Sequence, residues 1–307
     1  PLLRESVAHF EAAIARDSSF ALAWSGLADA LDALTYRSIP DQGRIPEAKN
    51  AALRAILLEP EMAEGWASLG VLVLDFDRDW KVGELALRRA IELRPGYAFA
   101  HRGLADLLGL TGRIDEAHVH ARQAAQLDPL AGFTLMAQAH SLYVLGRYAE
   151  ARAAFLRAVR ANSIAGLVMA VHARDLGFSA EEAAHYAREW ARRFDVSNLD
   201  DVALVGRAVL VPGLRTEARA AIRRLEREGK MSMRDLATAS AAIGDYAHTI
   251  ELLERLVELR QPPPGVAANP VFDPLREDPR FIRILDALRL PNCDAACRAA
   301  AAARAPK

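Results

Sequence analysis

Apolar residues recur along this chain at i, i+3, i+4 and i+7, and the phase of that pattern resets at regular intervals. His101, Leu104, Ala105 and Leu108 mark one such stripe, and Ala117, Ala121 and Ala124 mark the next. Between them Thr111-Gly112-Arg113 predicts a turn, with Gly112 suited to a left-handed helix end. Asp128-Pro129 predicts the stop, because proline cannot continue a helix and pushes its predecessor out of the α region. The stretch therefore reads as a hairpin of two helices. Trp66, Leu69, Gly70 and Val73 followed by Gly83, Leu87, Ala90 and Pro95 repeat the scheme. So do Trp24, Leu27, Ala28 and Leu31 followed by Ala48, Ala52, Ala55 and Pro60, and later Gly146, Tyr148, Ala151, Phe155 and Ala158.

The second helices share a register. Ala13, Ala55, Ala90, Ala124 and Ala158 stand 42, 35, 34 and 34 residues apart, each followed four residues later by a polar residue and then Pro or Ser. A period near 34 belongs to helix–turn–helix solenoids, and small residues at these places let neighbouring helices approach closely. The first interval is long because about eight extra residues (42 against 34) sit in the turn from Arg37 to Pro46. That turn is expected to project from the edge of the array as an extra contact.

The order of a large residue, Leu-Gly or Leu-Ala, then alanines, an aromatic and proline resembles the tetratricopeptide family. The resemblance implies an all-α, right-handed superhelical solenoid of antiparallel hairpins whose concave face binds partners. Well-formed repeats are expected over 1–163 and degenerate hairpins over 164–260. Residues 261–307 are expected to hold a Pro-rich linker, a capping helix and an Ala-rich tail. The degenerate hairpins are Leu176-Gly177 with Glu181 to Phe194, Asp201 to Leu210 with Thr216 to Glu228, and Ser232 to Ile243 with Tyr246 to Leu259. Gln261-Pro-Pro-Pro-Gly265 predicts a short polyproline stretch. Asp278 then makes a good N-cap with Pro279 at the first helical position, and Phe281, Leu285 and Leu288 share the face that would close the array.

Phe272-Asp-Pro-Leu-Arg-Glu-Asp-Pro-Arg-Phe281, together with Phe10 to Asp17 and Ala21 to Asp29, is similar to repeat regions of certain bacterial regulators. There the array follows a winged-helix DNA-binding domain or a class III adenylyl cyclase domain. Because the chain opens at Pro1 inside what reads as a second helix, it is expected to be a fragment of a longer protein. No catalytic or DNA-reading residue can be carried over.

Composition agrees with packed helices: of 307 residues, 52% are hydrophobic but only 7% aromatic, which disfavours a large sandwich or barrel core. A net charge of −1 supplies no field to draw the chain onto nucleic acid or an anionic membrane. No run of 18 apolar residues occurs, so no membrane span is read, and no cleavable signal peptide is seen.

Candidate chemistry is sparse. Asp75-Phe-Asp-Arg-Asp79 alternates carboxylates like a calcium loop, but Trp80 and Ala86 stand where glycine and glutamate are needed, and Asp79 reads as an N-cap. His118 and His120 are two apart on a helix and cannot chelate together, and His101 sits at a packing position. No nucleophile elbow, Walker loop, dinucleotide fingerprint or zincin motif appears. Neither an enzyme nor a cofactor is expected. Cys293 and Cys297, read as two free thiols on a helix, point to the cytoplasm; a disulfide between them would favour an extracytoplasmic, periplasmic setting.

By register, the groove built from first helices should display Asp29, Arg102, Asp106, His140, Tyr143 and Arg174. The Lys and Asn pattern of the chaperone-binding carboxylate clamp is missing. The expected function is a protein-interaction scaffold that holds a partner protein or peptide, or its own N-terminal effector domain. The alternative is a small-molecule sensor controlling that effector. The incomplete first hairpin offers a route to self-association. Trp24 and Trp66 are assigned to packing.

Overall fold

A computed structural model describes residues 2–37, 43–161, 165–229, 231–259, 266–293 and 299. Every regular element among them is helical. The helices group into two compact units, Pro1–Leu107 and Leu108–Lys307, with the division falling inside α6.

The first unit contains α1 (Leu2–Arg16), α2 (Ala21–Arg37), α3 (Ile45–Leu58), α4 (Ala63–Leu72), α5 (Trp80–Leu93) and most of α6 (Ala98–Leu110). From α1 to α5 each helix packs on the next, Ala100 of α6 shares a buried cluster with Ala90 of α5, and α2 also meets α4, so first helices lie beside one another while second helices back them. The contact is close because the second helix offers little bulk: Ala48, Ala51 and Ala52 of α3 are buried with Leu27, Leu31 and Leu72. Residues 38–42, the heart of the long first turn, lie outside the described residues.

The interval of 35 has a local cause. Val73–Asp77 forms a π turn between α4 and α5, the usual result of fitting one extra residue into a helix. Arg78 follows in the left-handed region, φ 54°, and Asp79 caps α5 by accepting from the Val82 N–H at 3.2 Å.

The large residue that opens each first helix is a staple as well as a packing group. The indole N–H of Trp24 donates to the Ser18 carbonyl at 3.0 Å, and that of Trp66 to the Pro60 carbonyl at 2.8 Å. His101 Nε2 lies 3.0 Å from the Pro95 carbonyl, which can only accept, so Nε2 carries the hydrogen. In each case the acceptor is six residues back, in the turn that joins two hairpins. The packing assignment of the two tryptophans was therefore incomplete.

The second unit begins with the end of α6 and continues with α7 (Ile114–Leu127), α8 (Gly132–Val144), α9 (Tyr148–Arg160), α10 (Ala165–Val171), α11 (Ala180–Arg193) and α12 (Leu199–Ala208). After a 3₁₀ turn at Pro212–Leu214 come α13 (Arg215–Glu228), α14 (Met233–Ala242) and α15 (Tyr246–Glu258). A second 3₁₀ segment, Pro270–Leu275, leads to α16 (Pro279–Ala287). Thr134 repeats the staple here, donating to the Asp128 carbonyl at 2.7 Å. Gly112 takes φ 78° at the α6–α7 turn, a conformation that costs glycine little. Gly206 of α12 is required for a different reason: a Cβ there would lie 2.8 Å from the Ala183 carbonyl oxygen of α11. Besides its neighbours, α10 touches α14, a contact that a stack of nearest-neighbour hairpins would not make.

The C-terminal cap forms as its capping residues predict. Asp278 accepts from the Arg280 N–H at 2.8 Å, and Phe281, Leu285 and Leu288 are buried as α16 packs on α15. Arg276, only 7% exposed, holds the segment together by donating to the carbonyls of Ala267 and Asn269, the Asn292 amide oxygen and the Asp273 carboxylate. The Gln261 to Gly265 stretch lies outside the described residues. Cys293 lies in a non-helical segment, is buried and is disulfide-bonded. This corrects the free-thiol expectation, whose helical premise fails at Cys293; Cys297 lies outside the described residues.

Candidate functional site: the first-helix face

Three of the six register-predicted residues come together in the first unit. Asp29 on α2 accepts from the Ser68 hydroxyl of α4 at 2.6 Å, and Ser25 Oγ lies 3.0 Å from Ser68 Oγ. Arg102 on α6 pairs with Asp106 one turn on at 2.7 Å. The Arg102 charge acts favourably on ionised Asp29, so α2, α4 and α6 contribute to one polar surface. Both serines are buried; Asp29 and Arg102 are half-buried.

Register reasoning missed the rim of this surface. Arg94 pairs with Glu64 at 2.8 Å and lies over the Tyr97 ring, its guanidinium carbon 3.8 Å from the centroid. Arg102 lies over the Phe99 ring at 4.9 Å. The two rings are 5.9 Å apart and rest on buried Ala63, Ala67, Ala90 and Ala100. Phe99 stands 35 residues after Glu64, so an aromatic and a carboxylate occupy one repeat position, which hides the pairing from a search for like residues.

Burial governs the electrostatics here. It pushes the Asp29 carboxyl up to about 6, against the Ser68 hydrogen bond and the Arg102 charge and with help from Glu64. The Asp106 carboxyl is raised by burial too, opposed by Arg102. The Tyr97 phenol is pushed up first by burial and then by the negative charges of Asp29 and Glu64.

The other three predicted residues belong to the second unit and have separate fates. Tyr143 is fully buried, its hydroxyl donating to Asp175 at 2.7 Å and its ring 4.1 Å from that of His172. It cannot line an open groove, because the helical register places it on the α8 flank that packs inward. His140 is half-buried on the same helix, and burial lowers its pKa to about 4. Burial lowers that of fully enclosed His172 to about 3, with His140 adding to the shift. Arg174 is exposed and donates to the Val209 carbonyl at 2.7 Å, bridging to the segment after α12.

His118 and His120 do not converge. His118 is buried between the Ser141 hydroxyl, 2.9 Å from Nδ1, and the Arg147 guanidinium, 3.2 Å from Nε2. Of the Asp75–Asp79 carboxylates, Asp77 pairs with Lys49 at 2.6 Å and Asp79 caps α5. No group of three or more metal-ligating side chains occurs among the described residues, and no described helix is long and apolar enough to cross a membrane.

No family model matches the chain, and no curated protein matches it significantly. Among solved structures it is similar to the APC/C hetero-tetramer Cut9–Hcn1, with a TM-score of 0.54 and 14% identity. That alignment covers 99% of this chain and 59% of the other, so the present chain spans little more than half of its length. The fold is tetratricopeptide-like. Shorter matches, to MamA (51% of this chain, 86% of that one, 19% identity, TM-score 0.37) and to YrrB, a TPR protein with an unusual peptide-binding site (52%, 77%, 20%, 0.35), cover about half of this chain.

Within the tetratricopeptide-like fold, the first helices are where side chains from successive hairpins meet without being needed for the core. Asp29 and Asp106 occupy corresponding places on α2 and α6, and this periodicity is the signal that found them.

Proposed function

We propose that this chain is a non-catalytic interaction scaffold that docks a protein or peptide segment on the first-helix face of its N-terminal unit. The observation that carries the reading is the convergence of Asp29, Glu64, Arg102 and Asp106 from α2, α4 and α6 beside the rings of Tyr97 and Phe99. A face with charges of both signs beside half-buried aromatic rings is the kind of patch that anchors a partner. The partner segment belongs to another protein or to an effector domain of the same polypeptide, and the regulator-like segments Phe10 to Asp17, Ala21 to Asp29 and Phe272 to Phe281 support a place in a bacterial signalling or transcription-regulating protein.

The test is partner capture with the natural full-length product, wild type against the double variant Arg102→Ala, Asp106→Ala. The reading expects specific partners, or an intramolecular contact seen by cross-linking, to be lost in the variant while its helical content is unchanged. Partners retained at wild-type levels would place binding elsewhere.

A further inference from the structure

Among the described residues of the first-helix face, the carboxylates are not equally partnered. Glu64 has Arg94 at 2.8 Å and Asp106 has Arg102 at 2.7 Å, and each guanidinium is laid across an aromatic ring. Asp29, by contrast, accepts a single hydrogen bond from Ser68 and forms no ion pair among the described residues. Ser68 has one hydroxyl hydrogen to give, and its oxygen also lies 2.9 Å from the Glu64 carbonyl. A carboxylate can accept about four hydrogen bonds, so most of the capacity of Asp29 is unmet among the described residues.

We propose that this face takes up a basic polypeptide segment, with the ammonium or guanidinium of a partner lysine or arginine seated on Asp29 and the following residues running across Glu64 toward Tyr97 and Phe99. The inference rests on the docking role proposed above and names the chemistry of the docked chain. A cation at Asp29 would also feel Glu64, whereas an anion would meet both carboxylates with Arg94 and Arg102 already committed. Neighbouring first helices lie roughly 8–10 Å apart, and an extended chain advances roughly 3.3 Å per residue. A residue about three places from the docked cation therefore reaches α4, and one about five or six places on reaches the start of α6, where the rings can receive an apolar side chain.

The same geometry supplies a signature. A carboxyl held near pH 6 by burial releases its proton when a cation replaces the missing counterion. The groups that bear on Asp29 are Arg102 of α6, Glu64 and Ser68 of α4, and Tyr97 just before α6.

The experiment uses the full chain and two fluorescein-labelled decapeptides, one alternating lysine with alanine and one alternating glutamate with alanine. Binding is followed by anisotropy, and by calorimetry at pH 6 in two buffers of different ionisation heat. The lysine peptide is expected to bind wild type with release of about half a proton, the fraction carried by a group titrating near that pH. Asp29→Asn, which preserves shape and the Ser68 contact, should weaken it roughly tenfold or more and abolish proton release. Equal affinity for Asp29→Asn, or wild-type binding without proton release, overturns the inference. Tighter binding of the glutamate peptide, lost in Arg102→Ala, overturns it while leaving the docking role intact. Binding of neither peptide also overturns it, and the docking role then stands or falls on capture with the Arg102, Asp106 double variant.

Discussion

His118 gives the most stringent check on the second unit, because chemistry fixes its protonation. Arg147 can only donate, so His118 Nε2, 3.2 Å away, must accept, and Nδ1 must carry the hydrogen that goes to Ser141 Oγ at 2.9 Å. Ser141 in turn donates to the Gln138 carbonyl at 2.8 Å. Protonating Nε2 would turn an acceptor into a donor facing a guanidinium, in a side chain only 2% exposed. Burial, then Arg147 and Arg122, lower the pKa from 6.5 to about 4, with Glu150 opposing. The unfolded chain then binds more protons than the folded one between these values, so stability rises with pH through that window and is lost on acidification. Two titrations at 6.5 and about 4 give a loss of about 2 kcal/mol at pH 5 and about 3 kcal/mol at pH 4. Urea unfolding followed by far-UV circular dichroism at pH 7 and pH 5 measures it, with non-titrating His118→Gln as comparator. Wild type should lose about 2 kcal/mol more than the variant between the two values. Equal losses, or nitrogen NMR showing the Nε2–H tautomer or a His118 titration near 6.5, would refute the reasoning.

Other outcomes follow from single contacts. Trp66→Phe keeps the ring but deletes the staple to Pro60, costing about 1 kcal/mol in chemical unfolding, whereas a purely packing tryptophan would lose less. Gly206→Ala should lower stability by about 2 kcal/mol through its backbone clash, while Gly109→Ala, with open space at the Cβ of a helical position, should raise it by about 0.5–1 kcal/mol; thermal melts of the pair compare them directly. Arg276→Lys should cost about 2 kcal/mol or more by breaking a fork that serves four acceptors, seen as a lowered urea midpoint. Asp29 has the opposite pH sense to His118. Its folded pKa is raised from 3.8 to about 6, so its contribution to stability falls as pH climbs through that range. Asp29→Asn should therefore be the more stable protein above pH 6, by about 1 kcal/mol after allowance for partial exposure, and indistinguishable below pH 4 in the same unfolding assay.

Helix existence, turn positions and caps were legible in the chain because they are local. The register of Ala55, Ala90, Ala124 and Ala158 foretold fully buried second-helix positions, and Asp79, Gly112 and Asp278 foretold their caps and turn from residue type alone. Periodicity also carried Asp29, Arg102 and Asp106 to one face, since a regular repeat converts sequence offset into direction. It failed at Tyr143, where the same offset leads into the core, because a helix flank faces solvent or protein depending on the neighbour that packs there. What only the tertiary structure decided are the pairings between residues far apart in sequence: Ser68 with Asp29, Arg94 with Glu64, His118 with Arg147, and the four acceptors of Arg276. Sequence by itself determined which segments are helical and where they stop, since backbone preference and capping act within a few residues. Which carboxylate keeps a counterion and which is left bare depends on side chains from several helices meeting in space, and on burial that exists only once they have met.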